Sequence, residues 1–227
     1  QASASQYPKA DDPKLESIFD VSNQDVRGGA LSRFPQNIGE VMIRLYTKPF
    51  DLIIDPFAGH NSRMSLAVKE ERHYQGYDIS SEFMAMNRIE KALLVERYPD
   101  IRIDLVEADS RHLSESPDAS GDFTITSPPY YNLERYGDQP EQLGKAKTYE
   151  MFLEELGKVC AENYRVLKDQ AFCVWFINDF RKSGRFHPFH MDVARLLTDA
   201  GFVFWDILIV DIGYAIRSAF ATQIVND

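Results

Sequence analysis

The chain has little of what marks an extracellular or membrane-bound protein. Only two of its 227 residues are cysteines, Cys160 in a helical pattern and Cys173 in a strand pattern. Buried reduced thiols are therefore expected, and a disulfide is not. No apolar run approaches the roughly 20 residues of a membrane span. The opening Gln1-Ala2-Ser3-Ala4-Ser5 has no methionine, no basic segment and no apolar segment. It reads as a trimmed or engineered start without a signal peptide, in a cytoplasmic protein. A basic excess is missing too: the net charge is −10. That argues against a free-standing nucleic-acid binder and leaves any phosphate contact to local patches. No internal repeat or low-complexity tract is present, and no metal centre is expected.

What is there is 44% hydrophobic and 12% aromatic residues, enough for one large α/β domain or two small ones. Residues 1–31 are polar, with Asp11-Asp12-Pro13 and Gly28-Gly29, and read as an arm on a domain covering 32–227. Ile38, Val41, Met42 and Leu45 recur at helical spacing. A short strand over 51–55 runs into Asp55-Pro56-Phe57-Ala58-Gly59, and 63–72 reads as a helix. Tyr74 to Asp78 is a second strand, followed by a helix capped by Ser80 or Ser81 that carries Phe83, Met84, Ile89, Leu93 and Leu94. Ile101 to Val106 alternates as a third strand and Asp122 to Thr126 forms a fourth. Thr148 caps a helix whose apolar face is Phe152, Leu156, Val159 and Val166. Ala171 to Ile177, continuously apolar, is expected to be a strand buried on both faces. A helix over 189–197 and a strand over 202–210 follow. Such alternation predicts an α/β fold with a doubly wound, mostly parallel sheet.

In a sheet of this kind, ligands bind outside the carboxyl ends of the strands. Candidate residues gather there. Gly59 stands where the backbone turns tightly before a helix N-terminus. Asp78 follows Gly59 by 19 residues, the spacing at which an acid accepts from ribose hydroxyls. Asp109, after the third strand, is placed to accept from an adenine amine. Thr126-Ser127-Pro128-Pro129-Tyr130 ends the fourth strand in a stiff turn with aimed carbonyls and a flat aromatic. Taken singly, Asp78 and Asp109 read as caps or solvated turns and the double proline as a strand-ending turn.

The Asp-Pro-Phe-Ala-Gly loop, the acid after strand two and the Thr-Ser-Pro-Pro-Tyr box together resemble the S-adenosylmethionine-dependent DNA amino-methyltransferases, which methylate N4 of cytosine or N6 of adenine. The resemblance spans about residues 33 to 212 and implies a class I methyltransferase (Rossmann-like) sheet, in a bacterial or phage-like, restriction-modification setting. It implies a methionine site at Asp55, Pro56, Phe57, Ala58 and Gly59, with Phe34-Pro35-Gln36-Asn37 packed beneath. Asp78 would hold the ribose and Asp109 the adenine. Where the family continues with Ser-Gly-Thr, this chain has His60-Asn61-Ser62. Asn61 tolerates the left-handed conformation and can replace the second glycine.

The implied chemistry is an in-line displacement. Ser127 and the Pro128 carbonyl would accept from the exocyclic amine, Pro129 would stiffen the turn, and Tyr130 would stack on a base flipped from double-stranded DNA. Serine at the head of the box leans toward cytosine N4. Cys160 and Cys173 lack the setting of a C5-methylating nucleophile. DNA phosphate is expected at Arg181, Lys182 and Arg185, near His187 and His190, and at Arg135, with a solvated loop as the alternative. Little room is left for target recognition, so a longer protein, or another domain or subunit, is expected to supply it. An RNA base methyltransferase and a catalytically idle binding subunit remain as rival classes.

Overall fold

A computed structural model of the chain describes residues 34–60, 62–133 and 139–210. The arm expected over 1–31, together with Asn61 and Arg135, lies outside the described residues. Helix α1 (Gln36–Tyr46) starts directly after Pro35, whose backbone is extended, and buries Ile38, Val41, Met42 and Ile43. Strands β1 (Leu52–Asp55), β2 (His73–Asp78), β3 (Ile103–Glu107), β4 (Gly121–Thr126) and β5 (Leu167–Trp175) form one sheet in the order β3-β2-β1-β4-β5. Every pairing in it is parallel. Helices α2 (Ser62–Lys69), α3 (Ser81–Arg97), α4 (Tyr149–Val166) and α5 (Phe189–Asp199) connect or follow the strands.

The strand alternation divides the core. Ile53 packs on one face of the sheet with Met42, Met64 and Phe123. Leu52 and Ile54 pack on the other with Tyr77, Leu113 and Val166, as a period of two dictates. A third, aromatic cluster joins Tyr130 and Tyr131 to Phe152, Phe180 and Phe189. Strand order reverses between β1 and β4, so the crevice of a doubly wound sheet opens between their carboxyl ends. The expected caps are present: Ser80 accepts from Phe83 N at 3.4 Å and Thr148 from Met151 N at 3.2 Å. Phe152, Leu156, Val159 and Val166 are all buried.

Several expectations need correction. Helix α2 stops at Lys69, and Glu71, at φ 63°, turns the chain toward β2. On α3, Leu94 is 5% exposed but Ile89 and Leu93 are 70% and 61% exposed. The helix shows only one turn-wide strip to the sheet, and those two side chains fall outside it. Residues 171–175 of β5 are half-buried because, among the described residues, β5 is the sheet edge. The segment 202–210 is not a strand: it has strand-like composition but no paired neighbour among the described residues, and Trp205 meets β5 at Phe172, ring centroids 6.1 Å apart. The basic stretch after β5 is not a plain loop. Phe180–Lys182 (β6) and Arg185–His187 (β7) pair antiparallel, and Ser183 and Gly184 turn between them at φ 49° and 78°. Positive φ at both turn positions matches the twist of a tight hairpin.

The register of α3 gives a direct check. Leu94→Ala is expected to cost about 2–5 kcal/mol in urea unfolding, whereas Leu93→Ala should stay within about 0.5 kcal/mol.

Candidate active site

The site is built around a carboxylate that never reaches solvent. Asp55 ends β1 and is fully buried. Its Oδ2 accepts from Arg63 Nε at 2.7 Å and Tyr74 OH at 2.8 Å; its Oδ1 accepts from Thr126 Oγ1 at 2.7 Å and Phe57 N at 3.1 Å. A carboxylate has about four acceptor positions, so these donors fill it. Burial opposes the Arg63 charge, but Asp55 outweighs it and the guanidinium pKa stays above its ordinary value. Burial, and then Asp55, push the Tyr74 hydroxyl far up, so it remains a donor.

The glycine loop leaves β1 from this anchor. Gly59 takes φ 51°, which suits a residue without Cβ. Its N–H donates to Asp78 Oδ2 at 2.8 Å, and its carbonyl accepts from Asn87 Nδ2 at 2.9 Å. Asn87 Oδ1 is buried without a partner among the described residues. Ala58 N donates to Tyr77 O at 2.8 Å, which presses the loop onto β2. Gly76 permits this: a Cβ there would lie 3.0 Å from Ala58 Cβ and 2.6 Å from Tyr74 Cε1. Ser110 Oγ holds the Pro56 carbonyl from the β3 side. His60 packs its ring on Phe83 at 4.6 Å, and Ser62 N donates to His60 O at 2.8 Å to open α2.

The two acids differ. Asp78 accepts one backbone N–H on each oxygen, from Ser80 at 2.8 Å and from Gly59. That leaves one acceptor position per oxygen, which fits a vicinal diol such as a ribose. Burial raises its pKa, against the pull of those two N–H groups. Asp109 is clasped by Arg111, whose Nε reaches both carboxylate oxygens at 3.0 and 2.9 Å, and whose N–H donates to Oδ1 at 3.0 Å. Burial would raise the Asp109 pKa, but Arg111 lowers it overall. Arg111 also pairs with Glu155 of α4 and donates to Glu141 O at 3.1 Å.

Across the crevice, Ser127 Oγ donates to Phe176 O at 3.3 Å. With its proton engaged there, the hydroxyl keeps both lone pairs for an incoming N–H. Pro128 is buried and Pro129 half-buried. Tyr130 is 9% exposed; its hydroxyl accepts from Asn178 N at 3.2 Å and its ring meets Phe189 edge-on at 5.9 Å. Phe34 lies between the two halves, 4.6 Å from the Phe176 ring and beneath Arg63 at 5.2 Å. Gly39 makes way for it, since a Cβ there would stand 2.4 Å from Phe34 Cε1. Pro35 accepts from Gly39 N at 3.0 Å and caps α1, and Gln36 Nε2 reaches Phe34 O at 3.5 Å. Asn37 lies half-buried in the first turn of α1.

The hairpin is fastened to this edge: Lys182 Nζ donates to Asn132 O at 3.2 Å and sits 4.9 Å over the Tyr131 ring. Arg181 and Arg185 are exposed and have no ion-pair partner among the described residues. His187 is buried between Tyr149 and Phe180, and His190 Nδ1 lies 2.6 Å from Asp179. The structure thus gathers Phe34, the 55–59 loop, Asp78 and the 127–130 box at one end of the sheet. Arg63, Gly76, Asn87 and Arg111 escaped the sequence reading. Only Gly76, a glycine within a strand, carried a visible signal.

Five parallel strands in this order, with a glycine loop after β1 and acids after β2 and β3, define a class I methyltransferase. Solved structures agree on the fold. A methyltransferase from Bacillus halodurans aligns with a TM-score of 0.52 at 13% identity, over 74% of this chain and 70% of that one. The [4+2]-cyclase SpnF aligns with a TM-score of 0.55 at 16% identity, over 81% and 62%. A cyclase on the same scaffold means that the fold alone does not fix the chemistry. A family model described as DNA methylase, of the N6/N4 type, matches residues 3–88 and 122–220. The chain belongs to this family, whose methyl donor is S-adenosyl-L-methionine. Among curated proteins it is 28% identical to the type II methyltransferase M.PvuII of Proteus hauseri over 113 residues, 43% of this chain and 34% of that protein. It is also 28% identical to M.Cfr9I of Citrobacter freundii over 76 residues, 33% and 25% of the two chains. These matches span about a third and a quarter of the relatives' lengths.

Asp55→Asn, which strands the Arg63 charge in the core, should cost about 3–5 kcal/mol in denaturant unfolding. Asn87→Ala should leave the fold intact but weaken S-adenosylmethionine binding about 10-fold in calorimetry, because the Gly59 carbonyl loses its buried partner.

Proposed function

We propose that the chain is the catalytic core of an S-adenosylmethionine-dependent DNA amino-methyltransferase that acts on N4 of cytosine in preference to N6 of adenine. The observation that carries this reading is the Thr126–Asp55 hydrogen bond of 2.7 Å. It ties the acceptor box to the glycine loop through one buried carboxylate, so the two halves of a transfer site keep their spacing. The cofactor supplies an electrophilic methyl group on a sulfonium. Asp78 takes the ribose hydroxyls on its two remaining acceptor positions, and Asp109, oriented by Arg111, lies at the adenine end. Pro56, Phe57, Ala58, Gly59 and Ser62 form the wall along the methionine portion, with Phe34 to Asn37 below it, and Asn61 is assigned to the same loop from the sequence alone. Asp55 acts by holding that wall, since its own acceptors are filled.

Ser127 and the Pro128 carbonyl would accept from the exocyclic amine and orient its lone pair. As the N–C bond formed and the C–S bond broke, the sulfonium would leave as the neutral thioether, the fixed acceptors would meet the charge on nitrogen, and the surplus proton would pass to solvent. Pro129 restricts the turn, and Tyr130 bounds the base pocket. The base comes from double-stranded DNA by flipping, since an exocyclic amine inside the stack is out of reach of a methyl donor held in the crevice. No protein nucleophile takes part: burial pushes the Cys160 thiol up to about 12 and the Cys173 thiol further. Arg181, Lys182 and Arg185 hold phosphate on the acceptor side, with Arg135 as a second contact. Target recognition falls to another domain or subunit.

Purified chain, labelled cofactor and DNA, followed by nucleoside mass spectrometry, test the reading. N4-methylcytosine is the expected product, and N6-methyladenine alone overturns the base choice. Ser127→Ala is expected to lower kcat about 10- to 100-fold, the worth of one acceptor to a developing charge, with cofactor affinity unchanged in calorimetry.

A further inference from the structure

The β6–β7 hairpin has two faces with different contents. Phe180 and His187 form one cross-strand pair, ring centroids 4.9 Å apart, turned into the aromatic cluster with Tyr149 and Phe189. The next pair, Arg181 and Phe186, points the opposite way, as alternation along a strand requires. Phe186 is 47% exposed, and the Arg181 guanidinium lies over its ring at 5.4 Å. The hairpin thus carries an exposed ring with a cation stacked on it, on a segment without an acid from 181 to 190 in a chain of net charge −10. The hairpin is also tied to the acceptor box: Asn178 N donates to Tyr130 OH, and Lys182 holds the Asn132 carbonyl.

We infer that the outward Arg181–Phe186 pair is a stacking surface for DNA bases next to the flipped target, with Phe186 lying on a base face that flipping exposes and Arg181 spanning ring and phosphate. Three features support that partner. Nucleic-acid surfaces combine cations that follow the backbone with aromatic rings that meet base faces. Exposed apolar side chains serve as wedges where base steps open. Charge complementarity selects a polyanion for a hairpin whose Arg181 and Arg185 have no ion-pair partner among the described residues. The inference rests on the DNA-methylating reading and deepens it: the hairpin supplies a non-electrostatic contact as well as a charged one.

The test uses the full chain with S-adenosylmethionine and a labelled mixed-sequence duplex carrying one abasic site, titrated over a range of salt. Phe186→Ala and Phe186→Leu are expected to weaken binding about 5- to 150-fold, the range for loss of one base–aromatic stack. The slope of log affinity against log salt should not change, because no phosphate contact is lost. Phe186→Trp should bind, and its fluorescence should be quenched by the duplex beyond any change seen for Trp175 and Trp205 in the unsubstituted chain. Leucine keeps the apolar packing under Arg181, so a loss in Phe186→Leu reports the ring and not the hairpin fold. If both ring-less variants bind like the unsubstituted chain, or if DNA quenches the Phe186→Trp variant no more than the unsubstituted chain, the inference is overturned. The triple variant Arg181→Glu, Lys182→Glu, Arg185→Glu separates the two readings. If its affinity and salt slope are unchanged, the phosphate patch fails and the stacking surface with it. If it loses slope while Phe186→Leu binds normally, the patch stands and only the stacking surface falls. Tighter binding of single-stranded RNA of the same sequence than of the duplex also overturns the assignment to DNA.

Discussion

Everything at the crevice depends on the buried charge of Asp55. A carboxylate out of water is tolerated only when it is paired and fully hydrogen-bonded. Here the donors come from four places: the loop's own backbone, α2, β2 and β4. Each is thereby fixed relative to the others. Arg63, drawn in to balance the charge, also donates to the Phe57 carbonyl and covers Phe34. One ionic requirement therefore sets the shape of the glycine loop, the position of the aromatic floor and the distance to the acceptor box. A site arranged by such a constraint does not wait for its ligand to be organised, and preorganisation of this kind lowers the reorganisation needed during a displacement.

Several of the arginines and lysines among the described residues are paired within the chain. Arg44 pairs with Glu70, Arg88 with Glu107, Arg165 with Glu162 and Asp118, and Lys168 with Asp122. Arg111 serves Asp109 and Glu155 together. An acidic protein can still offer a positive surface: Arg181 and Arg185 of the hairpin have no ion-pair partner among the described residues. Pairing also separates Asp78 from Asp109 in kind. Asp78 is held by backbone N–H groups that leave acceptor capacity toward the crevice, while Asp109 is kept charged and oriented by a neighbouring side chain.

The sheet, the strand ends and the caps were legible because they follow from periodicity and from short-range chemistry: apolar runs, Ser80 and Thr148 before helices, glycine at Gly59. The loop and box motifs could be joined into one site because sheet topology brings consecutive strand ends together. What was not legible depends on partners distant in sequence. Nothing local marks Arg63 as a counter-ion, Asn87 as a clasp on Gly59, or Arg111 as the holder of Asp109. The exposure of Ile89 and Leu93 is likewise a matter of how α3 lies on the sheet. The strand expected at 202–210 failed for the converse reason: composition can favour extended backbone, but a strand exists only beside a partner. The hairpin, though missed, was signalled by Ser183-Gly184, a turn pair between two apolar-and-basic runs.

That unpaired segment bears on how the chain behaves in solution. Val203, Phe204, Trp205, Ile207, Leu208 and Ile209 are all exposed, interrupted by a single acid, beside a β5 edge that has no further strand among the described residues. A window of this composition beside a sheet edge is the kind of segment that charge must keep from pairing between molecules. What opposes it is the mutual repulsion of molecules carrying a net charge of −10, which acts over a Debye length of about 10 Å at 0.1 M salt and only about 3 Å at 1 M. That opposition depends on ionic strength: the repulsion reaches a neighbouring molecule in dilute salt and is screened as salt is raised.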